Sequence, residues 1–464
     1  MVYIFQRYLS NCLLISLIFA SIGCAHLNSS NNYKTAREYS KSKEFKPGKL
    51  VIVQGPTSSS ETNINILAPV LKKYLYVIKD EQGKIFDAEL YETVHTAPLH
   101  WKVDKIFVKG LSPGKKYLLE IVDEFRGSQT KVDQRSFSTL DTQKNHVRFA
   151  YASCMADDYR FNDVIDPMWE QMRKQNTDMI ILNGDLVYVD SFEFVERKKA
   201  TELDIWFRFI DAFHRLPVYH WQDIKPIFAT WDDHDFGTND GNRDFKEKIA
   251  AKKIFLAFFG GKNLSDSYQL EPDSIYSAFT GFKQKMLFLD NRYFRQPNKD
   301  QVTPEPYGHW GEKQHHWILN HLNDSNTPVW IFNGNQIFSG TDLSFKEAMQ
   351  TNHPEHYKIF MEDMKKTKSP IIFASGDIHF SEIMQIPIER LNFQTYEVTS
   401  SAMHSYAGEG WENPLRLPGA IAKEYNFLII DSKNDKGSLK VDVESWGLNN
   451  KPYFKKKLEV VRPI

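Results

Sequence analysis

Cysteine is scarce in this chain: three in 464 residues, namely Cys12, Cys24 and Cys154. So few give no disulfide framework, which excludes the small scaffolds stapled by disulfides. Charge of one sign is not in surplus either. Lys and Arg total 58 against 59 Asp and Glu, a formal net charge of −1. Nothing in that balance makes an electrostatic case for nucleic acid, whose partners carry a basic excess. The apolar run Leu13 to Ala20 is too short to cross a bilayer comfortably. No internal repeat is found. What is present is a composition of 41% hydrophobic and 25% charged residues. It supplies a sizeable core and excludes disorder, over a length that suits about two or three domains.

The first 24 residues carry Arg7, the short apolar run, and then Ser21-Ile22-Gly23-Cys24. A basic start, an apolar centre and small residues at the end read as a secretory signal. Ending in Gly-Cys, the segment resembles a bacterial lipoprotein signal, in which the Cys is lipidated and becomes the mature N-terminus. Ser21 departs from that pattern, which prefers Leu. The expectation is an exported protein, tied to the membrane on its periplasmic or cell-surface side through a lipid at Cys24. Residues 25–46 are polar, with Asn28-Ser29-Ser30-Asn31-Asn32 among them, and read as a flexible tether.

Residues 47–142 change character. Leu50 to Val53, Leu75 to Ile78, Ile106 to Val108 and Tyr117 to Val122 are short strand-like runs, separated by Gln82-Gly83, Ser112-Pro113-Gly114 and Arg126-Gly127. This spacing predicts a small all-β sandwich of roughly seven strands. The stretch Gly110 to Tyr117 resembles the fibronectin type III corner before a late strand. Nothing in this part carries chemistry, so a packing, spacer or docking module is expected.

From residue 145 to 464 the pattern is α/β. Val147 to Ala152, Met179 to Leu182, Ile227 to Thr230, Val329 to Asn333 and Pro370 to Ser375 read as strands, and helices are predicted over Asp163 to Gln175, Asp244 to Phe259 and Glu312 to Leu322. The strand–helix–strand unit over 147–182 implies a parallel pair. Met179-Ile180-Ile181-Leu182 is continuously apolar, as a strand covered on both faces must be, and it runs into Asn183-Gly184-Asp185, a turn signal. Ligands of open α/β sheets gather at such carboxyl ends. Four strands there end in residues with lone pairs: Cys154, Asp185, Asp233-His234 and Asp377-x-His379. A dinuclear metal site needs this arrangement, with one carboxylate bridging two ions and separate loops filling the remaining positions.

In chain order these are Ser153-Cys154, Gly184-Asp185-x-x-Tyr188, Trp231-Asp232-Asp233-His234-Asp235, Leu289-Asp290-x-Arg292, Asn335-Gln336 and Gly376-Asp377-x-His379. The set resembles the PhoD-like alkaline phosphatases of the calcineurin-like metallophosphoesterase superfamily. The resemblance covers about Val147 to Ser401. It implies an α/β two-sheet sandwich flanked by helices, preceded by the fibronectin III-like domain. Asp235 departs from the pattern, which has Glu there, and little effect is expected from that.

Carried over position by position, the resemblance implies Cys154, Tyr188 and His379 on a first metal, with Asp185 bridging. Asp233 and Asp377 would hold a second metal, and His234 would stay off the ions and face the phosphate. The family implies Fe³⁺ and Ca²⁺. Thiolate, phenolate and carboxylate together suit a trivalent ion, and oxygen-only ligands suit a hard divalent one. The implied reaction is attack on phosphorus by a metal-bound hydroxide, with His234 assisting the leaving oxygen. Asn335 is assigned to the metal cluster or the substrate. Arg292 is assigned to a phosphate oxygen, with a structural salt bridge as the competing reading. The substrate expected is a phosphomonoester or phosphodiester. A phosphodiesterase for a phospholipid or cell-wall polymer competes with that reading, and so does a non-catalytic surface binding protein.

Overall fold

The computed structural model describes residues 50–461 apart from 97–98, 126, 192–199, 266, 300, 324–326 and 342–346. The signal, Cys24 and tether expected over 1–46 lie outside the described residues. Eight strands open the described chain: β1 (Val51–Thr57), β2 (Glu61–Pro69), β3 (Tyr74–Asp80), β4 (Ile85–Phe86), β5 (Ala88–His95), β6 (Trp101–Lys109), β7 (Lys116–Phe125) and β8 (Ser128–Ser138). They form two four-stranded sheets, β1-β2-β6-β5 and β4-β3-β7-β8, antiparallel at every pairing. The sequence reading expected roughly seven strands; eight are present, the shortest being the two-residue β4. Period-two alternation sets the core: Ile64 and Ile66 of one sheet and Leu119 and Ile121 of the other are fully buried in one cluster.

The remaining strands make a second, larger pair of sheets. They are β9 (His146–Ala152), β10 (Met179–Asn183), β11 (Ile227–Thr230), β12 (Tyr268–Leu270), β13 (Ser277–Gly281), β14 (Gln284–Phe288), β15 (Val329–Phe332), β16 (Ile371–Ser375), β17 (Ser381–Ile386), β18 (Thr395–Thr399), β19 (Arg416–Ala422), β20 (Phe427–Asp435), β21 (Ser438–Trp446) and β22 (Phe454–Val460). One sheet runs β11-β10-β9-β20-β21-β22 and the other β12-β13-β14-β15-β16-β18-β17-β19. The sequence-predicted parallel pair is present, with Met179 opposite Phe149 and Leu182 opposite Ala152. In the second sheet β14, β15, β16 and β18 are parallel. Aromatic side chains fill the layer between the sheets: Phe149, Tyr151, Phe228, Phe288, Trp330 and Phe332. Each such ring buried contributes roughly 1.5–3 kcal/mol.

Eight helices are seen among the described residues: α1 (Asn162–Arg173), α2 (Glu202–Arg215), α3 (Asp233–Phe236), α4 (Lys248–Phe259), α5 (Glu312–Asn323), α6 (Met349–Asn352), α7 (Pro354–Met364) and α8 (Ile388–Leu391). α1, α2 and α4 cover the first sheet, and α5 and α7 cover the second. α2 begins where its sequence says it should. Thr201 Oγ1 accepts from the Asp204 amide at 3.3 Å and Asp204 Oδ2 accepts from the Thr201 amide at 3.0 Å, a reciprocal cap whose loss costs about 1 kcal/mol. The smaller sandwich docks on the end of α4. Asn65 Nδ2 donates to the carbonyls of Phe258 and Gly260 at 2.8 and 2.9 Å, and Lys105 Nζ donates to that of Leu256 at 2.6 Å. This fastens the first sandwich to the helix layer that covers the first of the two larger sheets.

Candidate metal centre

Parallel strands point their carboxyl ends the same way, so loops far apart in sequence meet at one edge of the layer. β9 leads to Cys154, β10 to Asp185, β11 to Asp232, Asp233 and His234, β15 to Asn335, and β16 to Asp377 and His379. The turns are tight. Cys154, Asp185, Asp377 and His379 all have left-handed backbones, with φ of 56°, 56°, 72° and 59°. Such non-glycine conformations cluster where a fold over-determines a functional site. Gly184 (φ 87°) is required for two reasons: a Cβ there would be strained, and it would lie 2.7 Å from Asp232 Cβ.

One carboxylate fixes the Gly-Asp turn. Asp235 Oδ2 accepts from the Asp185 and Asp232 amides at 2.7 and 2.9 Å, and its Oδ1 from those of Leu186 and Val187 at 2.5 and 2.8 Å. Asp235 therefore positions the loop that presents Asp185. A Glu would carry its carboxylate one methylene further from its own backbone, so Asp and the turn fit each other. The sequence reading noted Asp235 only as a departure from Glu and did not identify its role as an anchor.

Cys154 Sγ lies 3.4 Å from Asp185 Oδ2 and 3.1 Å from Ser401 Oγ, and Tyr188 Oη lies 3.4 Å from His379 Nε2. Two sets of donor atoms each fall within 4.8 Å of one another: Cys154, Asp185 and His379, and Asp185, Asp233 and His234. Asp185 belongs to both. Its Oδ1 is buried without a hydrogen-bond partner. Burial, then Coulombic interaction with Cys154, Asp233, Asp232 and Asp235 around it, push its carboxyl well above the usual range. Burial, then Cys154 and Asp185, do the same to the Tyr188 phenol. An orphaned carboxylate oxygen among anionic donors is what a bound cation would neutralise, so these residues fit a metal.

His234 is held from behind. Its Nδ1 is 2.6 Å from Asp190 Oδ1, and its ring stacks on Tyr188 with centroids 4.2 Å apart. Nε2 is the nitrogen left to serve the site. Burial alone would depress this imidazole, but Asp190 and then Asp233 hold it up to about 10. Asp190 is itself fixed, accepting from the Asn239 amide at 2.6 Å. Sequence reading missed Asp190, although it stands two residues past Tyr188 in the same loop.

The second expected metal site is arranged differently from the motif reading. Asp233 is within 4.8 Å of Asp240 and Glu347, neither of which was singled out, and Asp377 joins no such close set among the described residues. Burial and then Glu347, Asp232 and Asp233 push the Asp377 carboxyl upward, so it faces the same acidic wall. Asn335 is buried and engaged at both ends. Its Oδ1 accepts from Asn333 and Asn291 at 2.9 and 3.1 Å, and its Nδ2 donates to Glu347 at 3.3 Å. Arg292 corrects the phosphate assignment. It is fully buried, with Asp232 at 2.5 Å and Glu347 at 2.9 Å. The salt bridge that competed with the phosphate contact is the one formed, because two carboxylates already occupy the guanidinium.

Solved structures sharing this architecture include one described as the structure of PhoD, with a TM-score of 0.67, 16% identity, and coverage of 89% of this chain and 90% of that one. A purple acid phosphatase, PPD1, from yellow lupin (Lupinus luteus) seeds aligns with a TM-score of 0.58 and 12% identity, over 90% of this chain and 75% of that one. At these identities the likeness concerns the fold. No curated protein matches the chain. The family model for PhoD-like phosphatases matches residues 149–447, more than half of the sequence and every strand end described above. The chain is thus a phosphoesterase and belongs to the PhoD-like phosphatase family.

Proposed function

We propose that this enzyme is an exported, metal-dependent hydrolase of phosphomonoesters or phosphodiesters, anchored through a lipid at Cys24. The observation that carries the metal reading is that Asp185 lies within 4.8 Å of Cys154 and His379 on one side and of Asp233 on the other. Cys154, Tyr188 and His379 would hold a ferric ion together with Asp185. Asp233 and Asp377 would hold calcium, Asp185 would serve both ions, and Glu347 and Asp240 stand beside Asp233. When bound, the cations supply Lewis acidity that lowers the proton affinity of an attacking water and neutralises the phosphate oxygens. The protein's own part is orientation and proton delivery. Asp190 fixes the imidazole of His234 so that Nε2 carries the proton to the departing ester oxygen. Arg292, paired with Asp232 and Glu347, keeps the acidic wall from repelling itself apart.

We read the first sandwich as a fibronectin III-like module that packs rather than catalyses. That reading is supported by the Ser112 amide donating to Tyr117 Oη at 2.7 Å, the contact of a tyrosine corner. The test of the whole is hydrolysis of a panel of mono- and diesters, with metal quantification on the same preparation. The expected result is turnover by a coloured protein, the colour arising from Tyr188 phenolate on iron. A colourless, fully active enzyme holding only zinc would refute the ligand set.

A further inference from the structure

Among the large apolar side chains that stand exposed in the described residues, Tyr406 is the one aromatic ring, 50% open to solvent. Its loop is tied to the loops that carry two of the candidate ligands. The His404 amide donates to the Cys154 carbonyl at 3.3 Å, and the Gly408 amide to the His379 carbonyl at 2.6 Å. Tyr406 lies between these two anchors in the chain. His404 is itself pinned. Its Nε2 accepts from Trp169 Nε1 at 3.0 Å, and its Nδ1 is 2.9 Å from the Ala156 carbonyl.

The ring is also held from behind. The Arg160 guanidinium lies 4.9 Å from its centroid, and Phe161 meets it edge-on at 5.5 Å. Arg160 is not a free receptor for anions, because its Nε donates to Asp158 Oδ1 at 2.8 Å. It and Phe161 act as a backing plate. The ring is thus packed against Arg160 and Phe161 on one side and half open to solvent. It is a stacking surface whose ordering cost has been met in advance.

We propose that Tyr406, backed by Arg160 and Phe161, is the leaving-group subsite of this enzyme and that it selects phosphate esters of alcohols bearing a flat ring, aryl or nucleoside, over alkyl esters. The proposal rests on the phosphoesterase reading and deepens it. The ring of the substrate stacks on the open face of Tyr406 while its phosphate reaches the metal centre beneath.

The test uses the metal-loaded enzyme with phenyl phosphate and glycerol phosphate. Each variant is compared with wild type on both, so that the intrinsic ease of phenolate departure cancels. Tyr406→Ala is expected to lower the phenyl-to-glycerol ratio of kcat/KM about tenfold. Tyr406→Phe should keep the ratio, and Arg160→Gln should lower it about threefold by freeing the ring. A ratio unchanged in Tyr406→Ala overturns the proposal. Calorimetric binding of phenylphosphonate against methylphosphonate separates failure of the subsite from failure of the chemistry. If wild type hydrolyses neither ester, the phosphoesterase reading fails. The subsite then stands if the preference for phenylphosphonate is present and lost in Tyr406→Ala, and it falls if the preference is absent or survives.

Discussion

Both parts of the molecule are pairs of facing sheets, yet they treat polar groups in opposite ways. In the first sandwich the buried polar groups largely find partners. Asp104, for example, takes Tyr76 at 2.5 Å, Thr93 at 2.8 Å and Lys102 at 2.9 Å. His100 is its only left-handed non-glycine residue among those described. In the second, four left-handed residues and the unpartnered Asp185 Oδ1 gather at the carboxyl ends of parallel strands. Antiparallel hairpins return the chain at once and close on themselves. Parallel strands must send it round through a helix, and they leave a common edge where distant loops can converge. The first arrangement is a self-sufficient support. The second is an edge where acidic and other donor side chains crowd together, the arrangement that the proposed metal centre would use.

The contrast is sharpest at Asp185. Asp185→Asn is expected to lower turnover by roughly a thousandfold or more and to empty the metal centre, as read by elemental analysis. A variant that keeps its metal and its rate would erase the distinction between the two sandwiches. Next in size is Asp235→Ala. It leaves the amides of Asp185, Leu186, Val187 and Asp232 without their acceptor, at an expected cost of about 4 kcal/mol in denaturant unfolding, with activity falling alongside. Asp190→Asn comes third, lowering kcat by about 10- to 100-fold with metal retained.

The same substitution has a signature in the metal-stripped protein. The folded His234 imidazole is held up to about 10 against an ordinary 6.5. The stability it lends is therefore full below pH 6.5 and disappears as pH rises through 10. The deficit of Asp190→Asn relative to wild type should be greatest below pH 6.5 and close above pH 10.

The smallest effect belongs to the support. Burial lowers the Lys105 ammonium to about 8 from 10.5, against a weaker opposing pull from Glu92. Between those values the unfolded chain binds more protons, so stability rises with pH across that window and the buried charge is a cost below it. Lys105→Met should add about 1–3 kcal/mol at pH 7 and nothing above pH 10.5, with activity unchanged. The Leu256 carbonyl that loses Lys105 keeps the Gly260 amide at 3.0 Å. Equal stability of the two proteins at pH 7 would show that the support bears no such cost.

Much of this was legible in the chain itself. The apolar run Met179 to Leu182 marks a doubly covered strand, and that strand is fully buried between parallel neighbours. The helix ending at Phe259 likewise follows from a local run. What stayed hidden depends on pairings between distant residues. Asp235 and Asp185 are 50 residues apart and Arg292 and Asp232 are 60 apart, and no spacing rule links them. Arg292 looked available for phosphate because a motif names a residue without showing what already occupies it. Asp240 and Glu347 carry no signal at all. Each is one acid in a polar stretch, and only the fold sets both beside Asp233.

The left-handed turns limit how this enzyme can be re-engineered. Substitution at 154, 185, 377 or 379 works with a short alphabet: Asn, Asp, His and Gly adopt that backbone most readily, while the β-branched Thr, Val and Ile are strained there. Cys154→His or Cys154→Asp is thus a reasonable first library, and a wider one would mostly return misfolded chains. Here the main chain, more than the metal, decides which ligand swaps can be tried.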